Sequence, residues 1–142
     1  MTDFTKANLA AQFGTDKDKE EQGVWIPLAD KIRVKIRRFK SKASQDARTE
    51  FQKPYIAMIR RDSLSEEVSV EILEKQMAKA IIVDWEGITD DAGNDIPCTY
   101  ENKLAILKAL PDFRDEIAAL AIARDSFKAE DDADAEKNLP TT

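Results

Sequence analysis

The sequence predicts a mainly α (α+β) domain, with a small N-terminal β-hairpin followed by a bundle of four to five helices. Three observations lead there. Beyond Ser41, apolar residues recur every three or four positions, which lays them along one face of successive helices. Lys31-Ile32-Arg33-Val34-Lys35-Ile36-Arg37 instead alternates strictly, the period of a strand with one buried face. Glycine is scarce, 4 in 142 residues, too few for the many turns of a β-sandwich.

The chain order reads as a flexible N-terminal arm (1–22), a single helical domain with an N-terminal β-hairpin (23–128) and a disordered acidic tail (129–142). The arm ends in the charge run Asp16-Lys17-Asp18-Lys19-Glu20-Glu21. Phe4, Leu9 and Phe13 could line one face of a short helix within it. Gly23 to Leu28 forms the first strand of the hairpin, Ala29-Asp30 the turn, and the alternating run the second strand. Pro27 has no N–H to give a ladder, so its strand belongs at an edge. Ser41 to Arg61 carries Ala43, Ala47, Phe51, Tyr55, Met58 and Ile59 at helical spacing. Pro54 either kinks that helix or restarts it, the kink being favoured.

Ser63 and Glu66 form a capping-box pattern ahead of a helix from about Glu66 to Val83, with Val70, Leu73, Met77, Ala80 and Ile81 on its stripe. Asp90 to Asp95 is the strongest turn signal in the chain. Thr99 caps a helix with Leu104, Ile106, Leu107 and Leu110 on its face, and Pro111 stops it. A last helix carries Phe113, Ile117, Leu120, Ala121, Arg124 and Phe127.

Composition excludes several functions. Net charge is −6, which argues against a coat for nucleic acid. With His 0, no imidazole can serve as general base, metal ligand or pH switch. Cys98 is alone, so there is no intramolecular disulfide and no thiolate zinc cluster, as expected in a reducing cytoplasm. The N-terminus lacks the basic and apolar regions of a signal peptide. No apolar run approaches the ~20 residues of a membrane span.

Three features invite a chemical role. Lys31, Arg33, Lys35, Arg37, Arg38, Lys40 and Lys42 form a basic strip that could follow phosphates, cover a solvent-facing strand, or meet an acidic protein surface. The stretch with Asp84, Glu86, Asp90, Asp91 and Asp95 lacks EF-hand spacing, and Thr99 stands where that loop needs a glutamate. It is a turn, with Asp and Asn bonding to their own backbone. Cys98, between Pro97 and Thr99, has no base beside it and reads as a filler before a cap. No nucleophile, base and orienting group can be assembled, so no catalytic residue, metal ligand or cofactor is expected.

Residues 80–117 carry a resemblance. The order helix end, Trp85-Glu86-Gly87-Ile88, Asp91-Ala92-Gly93-Asn94-Asp95-Ile96-Pro97, capped helix and Leu110-Pro111-Asp112-Phe113 resembles the C-terminal half of tail assembly chaperones of long-tailed (siphovirus-like) bacteriophages. The similarity extends over roughly Gly23 to Lys128. It implies a mostly helical, non-enzymatic protein of the host cytoplasm, absent from the mature virion. It also implies a function: binding the tape measure protein, keeping it soluble and helping recruit tail tube protein. Such chaperones occur as a short and a longer frameshifted form, and this chain resembles the short one. Self-association is compatible with that role. The residues expected to meet a partner are Trp25, Lys31, Arg33, Lys35, Arg37, Trp85, Phe113, Ile117 and Leu120. The alternative is a nucleic-acid-binding accessory protein that uses the basic hairpin 31–42.

Overall fold

The structure is a computed structural model and describes residues 8–129. Most of the expected acidic tail, and Phe4 of the expected arm, lie outside that span. Two short helices come first, α1 (Ala10–Phe13) and α2 (Lys17–Gln22). The hairpin strands β1 (Val24–Ala29) and β2 (Ile32–Ile36) follow. Next come α3 (Lys42–Gln52), a 3-10 turn (Lys53–Tyr55), α4 (Ile56–Arg60), α5 (Glu66–Gln76) and a π-helical turn (Met77–Ile81). The chain then forms β3 (Ile82–Glu86), α6 (Tyr100–Ala109), α7 (Pro111–Ile122) and a 3-10 turn (Arg124–Phe127).

The expected hairpin followed by a helix bundle is therefore incorrect. Two helices precede the hairpin, and the sheet has three antiparallel strands in the order β1-β2-β3. The missing strand is β3, which lies in the segment read as the end of a long helix. Ile81-Ile82-Val83 is apolar on every position, so periodicity alone cannot tell a buried helix from a strand there. Its β-branched residues and the outward Asp84 and Glu86 flanking inward Trp85 are the strand signal.

β2 sits at the centre of the sheet. Val34 pairs with Ile26 on one side and Trp85 on the other, and Ile36 pairs with Val24 and Ile82. Those side chains face the helices. Val34, Ile36, Ile82 and Trp85 join Met77, Ile81, Leu107, Ile117, Ala121 and Phe127 in one core. Each large aliphatic buried this way contributes roughly 1.5–3 kcal/mol. β1 lies at the edge, as Pro27 requires.

The switch from helix to strand would strand carbonyls at the end of α5, because a helix leaves its last four C=O groups without partners. Here cations supply them. Arg37 donates its backbone N–H to the Ile81 carbonyl (2.9 Å) and Nη1 to that of Ala80 (3.1 Å). Lys103 Nζ donates to the Ile82 carbonyl (2.9 Å). Burial pushes the Lys103 ammonium below the usual lysine range.

Local signals account for most boundaries. Ser41, Ser65 and Thr99 cap α3, α5 and α6 by accepting from Ser44, Val68 and Asn102 backbone N–H groups. The α5 cap is thus Ser65 and not Ser63, whose hydroxyl donates to the Met58 carbonyl. Pro54 lies in the 3-10 turn, so α3 ends before it and α4 restarts after it, which corrects the expected kink. The Asp90 turn forms as expected, its carboxylate accepting from the Ala92 and Asn94 N–H groups. The charge run expected in an arm folds instead: Asp16 caps α2, whose Glu20 is buried.

Gly87 has φ +81, and a Cβ there would collide with the carbonyl oxygen of Lys31, itself left-handed at φ 63 in the hairpin turn. Gly93 has a similar φ of +83 but open space around it. We expect Gly93→Ala to cost about 1 kcal/mol of unfolding free energy, the left-handed penalty alone. Gly87→Ala should cost on the order of 3 kcal/mol, because the β2–β3 end must also move. Urea denaturation of the two variants measures both, and equal losses would contradict the close approach.

Candidate functional site

α3, α5 and the C-terminal half of α7 enclose an open groove of about 510 Å³. Its apolar surface comes from Phe39, Leu64, Ile72, Leu73, Ala118 and Ile122, and its rim from Gln45, Arg48, Gln52 and Ser69. Ile122 is 63% exposed, unusual for a large aliphatic beside a formed core. The α3 wall from Gln45 to Gln52 spans about two helical turns, roughly 10 Å. Arg48 at the rim has no ionic partner among the described residues.

The walls are held by polar contacts, two of them buried. Gln76 Nε2 of α5 donates to the Ser44 carbonyl (3.1 Å) and hydroxyl (2.9 Å), in a site where Ser41 and Ser44 are fully buried. Lys79 pairs with Glu50 near the end of α3 and lies 5.6 Å from the Phe51 ring. Arg114 of α7 pairs with Glu74 of α5 at 3.1 Å, with little of either side chain exposed. Removing one partner of so buried a pair leaves an uncompensated charge. The groove is thus pre-formed, and its floor is apolar.

The residues expected to meet a partner are dispersed. Trp25 lies on the outer face of the sheet, its ring 4.3 Å from the Arg33 guanidinium. Arg33 also holds Glu86 through two bonds, 2.6 and 2.9 Å, which keeps the Glu86 carboxyl below the usual carboxylate range. Lys35 stands opposite Asp84 in the ladder, and Lys31 is exposed in the turn. Arg37 caps carbonyls, those of Ala80 and Glu21. Trp85 is 6% exposed and donates Nε1 to the Ile96 carbonyl (2.7 Å), as a core residue does. Ile117 is fully buried, and Phe113 and Leu120 are half-buried against the core.

None of these nine lines the groove. The overlooked signal is a second stripe on α7: Ala118 and Ile122, four apart, flank the buried pair Ile117 and Ala121. The basic strip is also not a row of unengaged charges. Arg38 pairs with Glu20 at 3.4 Å and Lys42 with Asp46 at 3.2 Å. Across the sheet's outer face, cations of β2 face carboxylates of β3.

Residues 39–138 match the YdaY prophage protein family. The chain belongs to that family. It is therefore phage-derived, and every residue of the groove falls inside the matched span, whereas the hairpin lies before it. No curated protein and no solved structure matches the chain. Among the described residues, no group of three or more carboxylates or thiols is placed to hold a metal ion, and no helix is long and apolar enough to cross a membrane.

Cys98 is half-buried in the small cleft beside Trp85 and Pro97, and burial pushes its thiol above the usual cysteine range. At pH 8 it should therefore react with a disulfide reagent more slowly in the native protein than in urea. A native rate equal to the unfolded one would contradict that burial.

Proposed function

We propose that this phage protein is a tail assembly chaperone that binds the tape measure protein in the groove between α3, α5 and α7. The single observation that carries the reading is the open, pre-formed apolar groove beside an exposed Ile122. Its apolar floor and two-turn length suit an amphipathic helix laid in a groove, read by anchors at i, i+3 and i+4. A tape measure chain consists of long helices whose apolar stripes would otherwise aggregate in the host cytoplasm. The net charge of −6 keeps a coated complex soluble.

Membership of a prophage family supports a phage setting for this activity. The resemblance of residues 80–117 to tail assembly chaperones supplies the finer reading, including the later arrival of tail tube subunits. Several copies along one tape measure chain would add avidity without requiring a large contact for each. Arg48 at the rim favours a bound helix with an acidic residue beside its apolar stripe. The nucleic-acid alternative finds less support, since Arg33, Arg37, Arg38 and Lys42 already have partners within the fold.

Co-expression with the tape measure protein of the same prophage should keep that protein soluble and allow the two to co-purify. Ile122→Glu should weaken the complex by about tenfold or more, roughly 1.4 kcal/mol. Because Ile122 is largely exposed, the variant should unfold within about 0.5 kcal/mol of the parent. Calorimetric titration and thermal unfolding read the two effects. An Ile122→Glu protein that binds as tightly as the parent would exclude the groove.

A further inference from the structure

The segment from Thr15 to Glu21 lies outside the groove, yet it touches the first turn of α3 and the turn that follows α7. On one side, the Asp16 N–H donates to the Phe127 carbonyl (2.8 Å), Thr15 forms a β-bridge with Lys128, and Lys19 Nζ donates to the Lys128 carbonyl (3.0 Å). These residues close the 3-10 turn that follows α7 after an extended Ala123, and α7 itself carries Ala118 and Ile122. On the other side, the Glu21 carboxylate accepts from the Lys42 N–H, the first of α3, at 3.0 and 3.2 Å. The buried Glu20 carboxylate accepts from Thr15 and pairs with Arg38, the neighbour of groove residue Phe39. The Arg38 N–H donates to the Glu20 carbonyl (3.2 Å), and the Arg38 guanidinium lies 5.9 Å from the Phe127 ring.

The two walls themselves meet at a single backbone bond at this end, from the Phe39 N–H to the Ala121 carbonyl (3.0 Å). Otherwise α3 and α7 are each held to α5, through Gln76–Ser44 and Arg114–Glu74. The segment 15–21 adds contacts on either side of the Phe39–Ala121 bond.

We propose that residues 15–21 are a tie-bar: Glu20 and Glu21 are positioning residues that fix the separation of α3 and α7, and so set the affinity of the groove for a helix. The affinity half rests on the chaperone reading; the separation half does not. Glu20 holds the segment before α3 through Arg38, and Glu21 holds the first turn of α3. A carboxylate accepting the free N–H at a helix start also opposes the positive end of the helix dipole. Untied, α3 and α7 sample a range of separations, and a helix selects only the fraction that fits.

The test uses the full chain, with spin labels at Thr49→Cys and Ala119→Cys in a Cys98→Ser background. Both label sites are exposed and lie on α3 and α7 outside the groove lining. The parent should give one narrow distance. Glu20→Gln with Glu21→Ala should broaden it, and should weaken binding of the tape measure protein on the order of fivefold in unlabelled protein. Glu21→Ala alone, at a carboxylate less buried than that of Glu20, serves if the Glu20 variant fails to fold, and should broaden the distance to a lesser degree. Both readouts should change at temperatures well below the unfolding midpoint, which a loss of stability alone would not do.

An unchanged distance distribution in both variants would overturn the tie-bar, whatever binds the groove. A broadened distribution with undiminished affinity would overturn its role in binding. A broadened distribution in a protein whose parent never binds the tape measure would defeat the chaperone reading and leave the tie-bar standing.

Discussion

The turn at Met77 to Ile81, where a helix becomes a strand, is the constraint on which the rest of the molecule depends. It buries Met77, Ala78, Ala80 and Ile81 at once and delivers Ile82 and Trp85 to the inner face of the sheet. That conversion frees carbonyls in a region with no access to water, where an unpaired acceptor costs about 1–3 kcal/mol. Arg37 and Lys103 supply the missing donors from two different elements. Without them those carbonyls would be left unpaired at the junction that gives β2 its second neighbour.

The position of the groove follows from that turn. α5 leads into it and α3 packs along α5 through the buried Gln76–Ser44 contact. α7 crosses the same core through Ile117 and Ala121, so its other stripe, Ala118 and Ile122, is left facing the groove. The floor therefore belongs to helices whose opposite faces are committed to the core. A surface built this way is greasy at little cost in stability, which suits the proposed holding of another chain's helix.

Much of this was legible in the residues. The strict alternation around Val34 and Ile36 marks the hairpin, and Thr99, Pro111 and the Asp90 turn set element boundaries where the chain places them. β3 was not legible because a continuous β-branched apolar run satisfies both periods. The docking of α2 was hidden because a run of alternating charge looks solvated unless one knows that Arg38 waits to bury Glu20. The site was the least visible part. Trp85 and Ile117 announce themselves as anchors, yet the core claims them, since an apolar side chain carries no label for core or partner. Arg37 reads as a surface cation and is a cap for buried carbonyls. The groove residues are ordinary in sequence and become a site only through the placement of α3 beside α7.

Nuclear magnetic resonance of the labelled full chain, titrated with a helical segment of the tape measure protein, bears most directly on the claim that this groove receives a partner helix. The account predicts shifts concentrated at Phe39, Arg48, Leu73, Ala118 and Ile122, with the outer face at Trp25 and Arg33 unmoved. Shifts centred on Trp25 and Arg33, or none anywhere at saturating peptide, would contradict it.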